Sequence, residues 1–212
     1  SIKLGAFTVE FIHVNHSIPG SCALAISTPV GMVVHSGDFK VDLTPISGHM
    51  TDMTRLSEIG KKGVTLLMCE STNVEQEGYT MSEHVVGETL DRLFVDNVKR
   101  RIIIATFATN VHRIQQIIDL AVKHKRKVAF SGRSMLNVVE AASKVGEITI
   151  PSDVVIDIER IKNVADKDLV ITTVSPIFGN MAYTLTLPKE TRFSTGDDVG
   201  IKFQNTITTT PS

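Results

Sequence analysis

Two stretches decide the fold: Asn15-His16-Ser17-Ile18-Pro19-Gly20-Ser21 and, one hydrophobic interval later, His35-Ser36-Gly37-Asp38-Phe39-Lys40. Each follows an apolar run. Phe7, Val9 and Phe11 alternate through residues 6–14, which predicts a strand. Residues 22–28 (Cys-Ala-Leu-Ala-Ile-Ser-Thr) predict a second, Pro29-Val30-Gly31 a hairpin turn and residues 32–35 a third. Strands this close in sequence favour antiparallel pairing. His16 and Asp38 therefore fall just past two strand ends, where α/β sheets present their chemistry.

Further along, Thr51 to Gly60 reads as a short helix closed by a glycine, and residues 64–69 as a buried strand ending in the polar loop Glu70-Ser71-Thr72-Asn73. The character then changes. Thr80-Met81-Ser82-Glu83 has the form of a capping box, opening a helix through Val85, Val86, Leu90, Leu93 and Phe94. Strand 101–107, helix 111–124, strand 127–130 and helix 135–145 follow, with short strands at 153–158 and 168–173. From 69 to 146 the alternation of strand and helix predicts a parallel sheet with crossover helices, an α/β fold. The natural boundary lies near 75–80, giving parts 1–78 and 79–212. After Thr173 the pattern weakens. Gly196-Asp197-Asp198 suggests a turn, and the alternation around Ile201 and Phe203 a further strand.

The composition is that of an ordinary globular domain: 212 residues, 42% hydrophobic and 21% charged. A net charge of −1 gives no bulk electrostatic case for nucleic acid, so a polyanion would need a local basic patch. No run approaches the roughly 18 apolar residues of a membrane span. Cys22 and Cys69 lie in apolar runs and read as buried, reduced thiols of a cytoplasmic protein. Ser1 to Ile12 carries no leader pattern and reads as a strand entered midway, so the chain is expected to begin inside a larger protein.

Each chemical candidate has a plain structural alternative. His16 and Asp38 pair an imidazole with a carboxylate, the donors of a hydrolytic zinc site, yet such residues alone are more often a packed histidine and a turn aspartate. In Ala105-Thr106-Phe107-Ala108-Thr109-Asn110-Val111-His112-Arg113 a strand runs into a loop that opens a helix. The Thr109 hydroxyl, the Asn110 amide and the backbone from Val111 make a phosphate seat, or a simple N-cap. Arg113 adds charge at the same end. Gly132-Arg133-Ser134-Met135 brings Arg133 to a helix start, with Ser134 either cap or contact. Glu70 reads as an orienting carboxylate or a turn former. His35 reads as structural, and Lys123-His124-Lys125-Arg126-Lys127 as a solvated helix end, with an RNA-facing patch as the sharper alternative.

Taken together, these motifs resemble the ribonuclease J family, whose metallo-β-lactamase fold carries a β-CASP insertion. The pattern H-S-I-P-x-S followed by H-[ST]-G-D-F-K matches its third and fourth metal motifs, with Gly20 where the family usually has Asp. Residues 105–113 match its A-T-F-[AS]-[ST]-N-[IV]-H-R run, with Thr109 where Ser is usual. Glu70-Ser71-Thr72-Asn73 matches D-S-T-N, and Gly132 to Met135 matches G-R-S-M. The resemblance covers about residues 1–170. Beyond Thr173 it degrades: Thr173 to Met181 stands where the family has T-G-S-Q-G-E-P-M, and Gly196 to Pro211 only faintly echoes a later motif.

The resemblance implies part of a metallo-β-lactamase αββα fold over 1–78 and a β-CASP domain over 79–212. It implies a zinc-dependent ribonuclease that hydrolyses RNA phosphodiester bonds, as a 5′ exonuclease, an endonuclease or both, in RNA processing and decay. His16 and Asp38 become metal ligands for a site of two zinc ions, with Asp38 bridging and Glu70 orienting. Thr109, Asn110, Val111, Arg133 and Ser134 hold the RNA end. The family's H-x-H-x-D-H motif and its last ligand histidine are not in these residues and are expected upstream of Ser1 and downstream of Ser212. The fragment alone is then expected to bind less than stoichiometric zinc and to be inactive. The implied partners are RNA and, in the full-length protein, another copy or a paralogue, with no membrane. The alternative is a non-catalytic β-CASP module that binds RNA or a partner nuclease. A small-ester hydrolase of the same fold fits the 101–113 run poorly.

Overall fold

A computed structural model describes residues 1–46, 49–75 and 77–174, and the backbone of 183–185. The chain forms two units, Ser1–Glu88 and Thr89–Ser212.

The first unit is built on a five-stranded sheet in the order β1-β2-β3-β4-β5: Ile2–Leu4, Phe7–His13, Cys22–Thr28, Gly31–His35 and Leu66–Met68. β2, β3 and β4 pair antiparallel as predicted, and β5 runs parallel to β4; the stretch from Ser1 that reads as one strand instead folds back as the antiparallel pair β1–β2. The hairpin at Pro29-Val30 is closed by Thr28, whose Oγ1 donates to the Gly31 carbonyl at 2.8 Å and accepts the Val30 N–H at 3.2 Å. On one face Ile12, Val14, Ala23, Ala25 and Val34 pack with Ile59 of helix α1, Met53–Lys62. Asp52 caps that helix by accepting the Arg55 N–H at 2.9 Å. The predicted closing glycine, Gly60, lies inside the helix. Gly63, with φ +94°, ends it instead, because the chain leaves the helix only where a residue takes up the left-handed region.

Residues opposite one another across a sheet share a face. The register therefore places Ile2, Leu4, Phe7, Phe11, Leu66 and Met68 together on the second face, and all six are exposed among the described residues. This corrects the expectation of a buried strand at 64–69. β5 is an edge strand, and its Leu66, Leu67 and Met68 are all exposed. Cys69, just beyond it, is exposed too, and Cys22 is half-buried; both are free thiols.

Helix α2 spans Glu83–Asp96. It starts at Glu83, so the predicted box with Thr80 as cap does not form. The Ser82 hydroxyl accepts the His84 N–H at 3.2 Å, and the buried Asp42 carboxylate accepts the Glu83 N–H at 3.2 Å and the Thr44 N–H at 3.0 Å. Burial pushes the Asp42 carboxyl up, but the Thr44 N–H, the Ser82 hydroxyl, the Glu83 N–H and the Lys40 ammonium together hold it below the usual carboxylate range. A carboxyl depressed by folding stabilises fully above its unfolded pKa and loses that contribution as pH falls through its folded value. Asp42→Asn is expected to lower stability by about 1.5–3 kcal/mol at neutral pH. Urea melts should show the difference shrinking below about pH 4. A constant difference down to pH 2–3, on the order of the carboxylate range, would mean that shape rather than charge is being lost.

The second unit holds a sheet in the order β10-β6-β9-β7-β8: Tyr183–Leu185, Ile102–Thr106, Leu169–Val174, Lys127–Ser131 and Val155–Ile156. The central strands are parallel, and β10 joins antiparallel to β6. This is the predicted α/β arrangement. Helices α3 (Val111–Lys123) and α4 (Arg133–Lys144) cross over between strands. Ile114, Ile117, Ile118 and Ala121 of α3 and Met135, Val139 and Ala142 of α4 are buried, as are Ile102, Ile104, Val128 and Phe130 of the sheet. The predicted turn at Gly196-Asp197-Asp198 and the strand near Ile201 and Phe203 lie outside the described residues. Among those described, no helix is long and apolar enough to cross a membrane.

Candidate functional site

In the first unit, the two stretches quoted at the outset are joined. The Lys40 N–H donates to the Asn15 carbonyl at 2.7 Å, and Asn15 is itself held by Thr51 Oγ1, which accepts its N–H at 2.9 Å, and by the His49 carbonyl, which accepts its side-chain amide at 2.9 Å. Between β4 and Asp38 the chain turns at Gly37. Its φ is +60°, and a Cβ there would lie 2.8 Å from the Cys22 carbonyl, so only glycine fits. The turn is braced by His35, whose Nδ1 accepts the Gly37 N–H at 3.0 Å, in line with the structural role expected for it. It leaves the Asp38 carboxylate 71% exposed, with Oδ2 3.9 Å from His16 Nε2.

Glu70 stands beside this pair. Its N–H donates to Ser36 Oγ at 2.9 Å, and its carboxylate accepts the Thr72 N–H at 2.9 Å. The Thr72 N–H first, then its hydroxyl, then the charge of His16, hold the Glu70 carboxyl below the usual range against a small opposing effect of burial. Glu70 is thus a turn former within electrostatic reach of His16. Sequence reasoning missed Ser36, which is buried and donates to the Gly37 carbonyl at 2.7 Å while accepting from Glu70. The signal was a small hydroxyl residue between a strand end and a positive-φ glycine.

An imidazole and an exposed carboxylate at this spacing suit zinc in kind. They do not suffice in number, since a zinc site takes about four ligands. Among the described residues no group of three or more His, Cys, Asp or Glu side chains gathers to hold a metal.

In the second unit the N-termini of α3 and α4 follow the C-terminal ends of β6 and β7. They differ in how they are capped. At α3, Asn110 is the N-cap: it is 2% exposed, and its Oδ1 accepts the Arg113 N–H at 3.2 Å. The Asn110 and Val111 N–H groups are also engaged, donating to the Phe107 and Thr109 carbonyls at 3.1 and 2.9 Å. This start is largely closed on itself. Val111 is buried, and only Thr109 is exposed there. Arg113 is buried as well, so its charge is not offered to solvent as expected.

At α4 the helix begins two residues earlier than predicted, which puts Arg133 and Ser134 inside its first turn. The cap is Gly132, with φ +101° and no side-chain hydrogen bond. Ser134 is therefore not the cap. Arg133 and Ser134 are exposed at an open helix start, where N–H groups and the helix dipole favour an anion.

Comparison with known proteins agrees with the motifs. The family model described as the β-CASP domain of ribonuclease J matches residues 99–190. A ribonuclease J of Synechocystis sp. is 47% identical over 81% of this chain and 27% of its own length. That of Corynebacterium glutamicum is 46% identical over 80% of this chain and 24% of its length, and that of Helicobacter pylori 40% over 81% and 25%. The chain thus spans about a quarter of the length of the curated relatives it matches. Among solved structures, a protein of unknown function from Enterococcus faecalis shares the fold, with a TM-score of 0.60 and 22% identity over 82% of this chain and 43% of that one.

Proposed function

We propose that this chain, whose residues 99–190 match the β-CASP domain of ribonuclease J and which is 47% identical to a ribonuclease J over 81% of its length, is the central part of a zinc-dependent ribonuclease acting on RNA phosphodiester bonds. The observation that carries this reading is the meeting of His16 and Asp38, 3.9 Å apart on two strand-end loops tied together by the Lys40–Asn15 hydrogen bond. His16 and Asp38 would be zinc ligands, and Glu70 would orient them through its charge and its Ser36 contact. Bound zinc supplies Lewis acidity toward a phosphoryl oxygen.

The chain's own residues then bind and orient RNA. Arg133 and Ser134 at the open start of α4 supply charge and donors for a terminal phosphate, and the Thr109 hydroxyl offers a further contact. Asn110 and Val111 hold the Thr109 loop in shape. A terminal-phosphate seat favours 5′ exonucleolytic action, and internal cleavage would proceed without it.

The remaining ligands belong to the rest of the parent protein in this reading. The purified 212-residue chain is therefore expected to retain less than one zinc per molecule and to cleave no RNA. Metal analysis after gel filtration checks this, with His16→Ala expected to remove whatever zinc remains. Two tightly held zinc ions per chain would overturn the reading of the site as incomplete.

A further inference from the structure

Helices α3 and α4 end with the same backbone geometry on different residues. Past the end of α4, Gly146 has φ +84°; its N–H donates to the Ser143 carbonyl at 3.2 Å, and the Glu147 N–H to the Ala142 carbonyl at 2.9 Å. Past the end of α3, Lys125 has φ +54°; its N–H donates to the Val122 carbonyl at 3.1 Å, and the Arg126 N–H to the Ala121 carbonyl at 2.7 Å. Both are Schellman closures, in which glycine is the usual residue because it has no Cβ to clash. Helix α3 thus keeps a lysine at a position where glycine is the less strained choice. A residue held in the left-handed region is a pointer to function.

The surroundings say which function. Arg126 is buried; its guanidinium donates to the Arg100 carbonyl at 2.8 Å and the Asn97 carbonyl at 2.6 Å and lies 5.7 Å from the centre of the Phe94 ring. It staples the turn before β6 to the turn before β7. That ties the turn carrying the exposed Lys99 and Arg100 to the turn carrying the exposed Lys125. Asp91 is taken by Lys123 and His124 at 2.6 and 2.7 Å, Asp166 by Arg101 at 2.6 Å and Asp168 by Lys167 at 3.1 Å, while Asp96 is exposed. Among the described residues no carboxylate forms an ion pair with Lys99, Arg100 or Lys125. These turns sit at the N-terminal ends of β6 and β7, the opposite edge of the sheet from α3's and α4's starts.

We infer that the rim formed by Lys99, Arg100 and Lys125 is a second RNA-binding surface, which takes the phosphate backbone of a single strand at the sheet edge opposite the terminal-phosphate seat. The identity of the polyanion rests on the ribonuclease reading; the surface itself rests on the geometry of the two turns. Three cations spaced along adjoining turns suit successive phosphates and read no base, so binding is independent of sequence and falls with salt.

The test is fluorescence anisotropy of the 212-residue chain with a single-stranded RNA bearing a 5′-hydroxyl, which cannot use the terminal-phosphate seat. The variant Lys99→Ala/Arg100→Ala/Lys125→Gly is expected to weaken binding and to reduce the slope of log affinity against log salt by about 2. Lys125→Gly alone is expected to raise Tm while it weakens binding, a combination that a purely structural lysine does not produce. An unchanged slope, or a wild-type chain that does not bind this RNA, overturns the second surface. So does a loss confined to 5′-monophosphorylated RNA, which would assign these cations to the terminal-phosphate seat. Arg133→Ala, measured alongside, reports on that seat separately, so either surface can fail without the other.

Discussion

Replacing Asp38 by Ala in the full-length parent is expected to lower RNA cleavage by about 1000-fold or more, with the melting curve unchanged. The size follows from the several kcal/mol of charge stabilisation that a correctly held metal provides, at about 1.4 kcal/mol per tenfold in rate. The unchanged melting curve follows from geometry. The Asp38 side chain is 71% exposed, and the turn before it is held by Gly37, His35 and Ser36. Metal content should fall in parallel with activity. Retained turnover in a stably folded variant would reduce Asp38 to a turn residue and leave the non-catalytic alternative standing.

The second large effect is expected at Arg133. Loss of a charge-assisted contact to phosphate removes about 1.5–3 kcal/mol. Arg133→Ala in the parent should therefore slow cleavage of 5′-monophosphorylated RNA by roughly 10- to 100-fold, and affect internal cleavage little. Arg133→Lys should recover only part, because an ammonium cannot offer two parallel donors. Stability should not move, since Arg133 is exposed at an uncapped helix start. Asn110→Ala supplies the contrast. As a buried N-cap it should destabilise the second unit by about 1–2 kcal/mol, and Asn110→Asp, which keeps the capping oxygen, should restore that stability. Equal losses on 5′-terminal and internal cleavage for Arg133→Ala would return the phosphate seat to another part of the protein.

Much of this was legible in the sequence because it depended on local rules. The strands at 7–13, 22–28 and 31–35 follow from alternation and a proline-glycine turn, and the α3 helix from its apolar stripe. What was misread depended on neighbours that a local pattern does not reveal. Leu66, Leu67 and Met68 look like a buried strand by composition, but their burial depends on what lies across the sheet. Thr80 and Glu83 have the spacing of a capping box, yet the distant Asp42 carboxylate meets the first N–H of α2. Arg126 looked like one cation of a solvated run and is instead buried under two carbonyls. In the site, the positions of His16 and Asp38 at strand ends were readable. The difference between a closed α3 start and an open α4 start was not, because it turns on which side chain folds back onto its own helix.

The order β10-β6-β9-β7-β8 has a consequence for how the second unit comes into being. Strand β9 pairs with β6 on one side and β7 on the other, yet it is the last of the three to leave the ribosome. Until Leu169–Val174 has emerged, β6 and β7 have no common partner, and the α3 and α4 helices have only part of a sheet to lie on. The middle of the sheet is a slot filled late, by a strand whose Leu169, Val170 and Thr172 are fully buried. During synthesis the nascent chain therefore carries two apolar strand edges that wait for one insertion. Joining of β6 to β7 thus waits on a single strand of six residues.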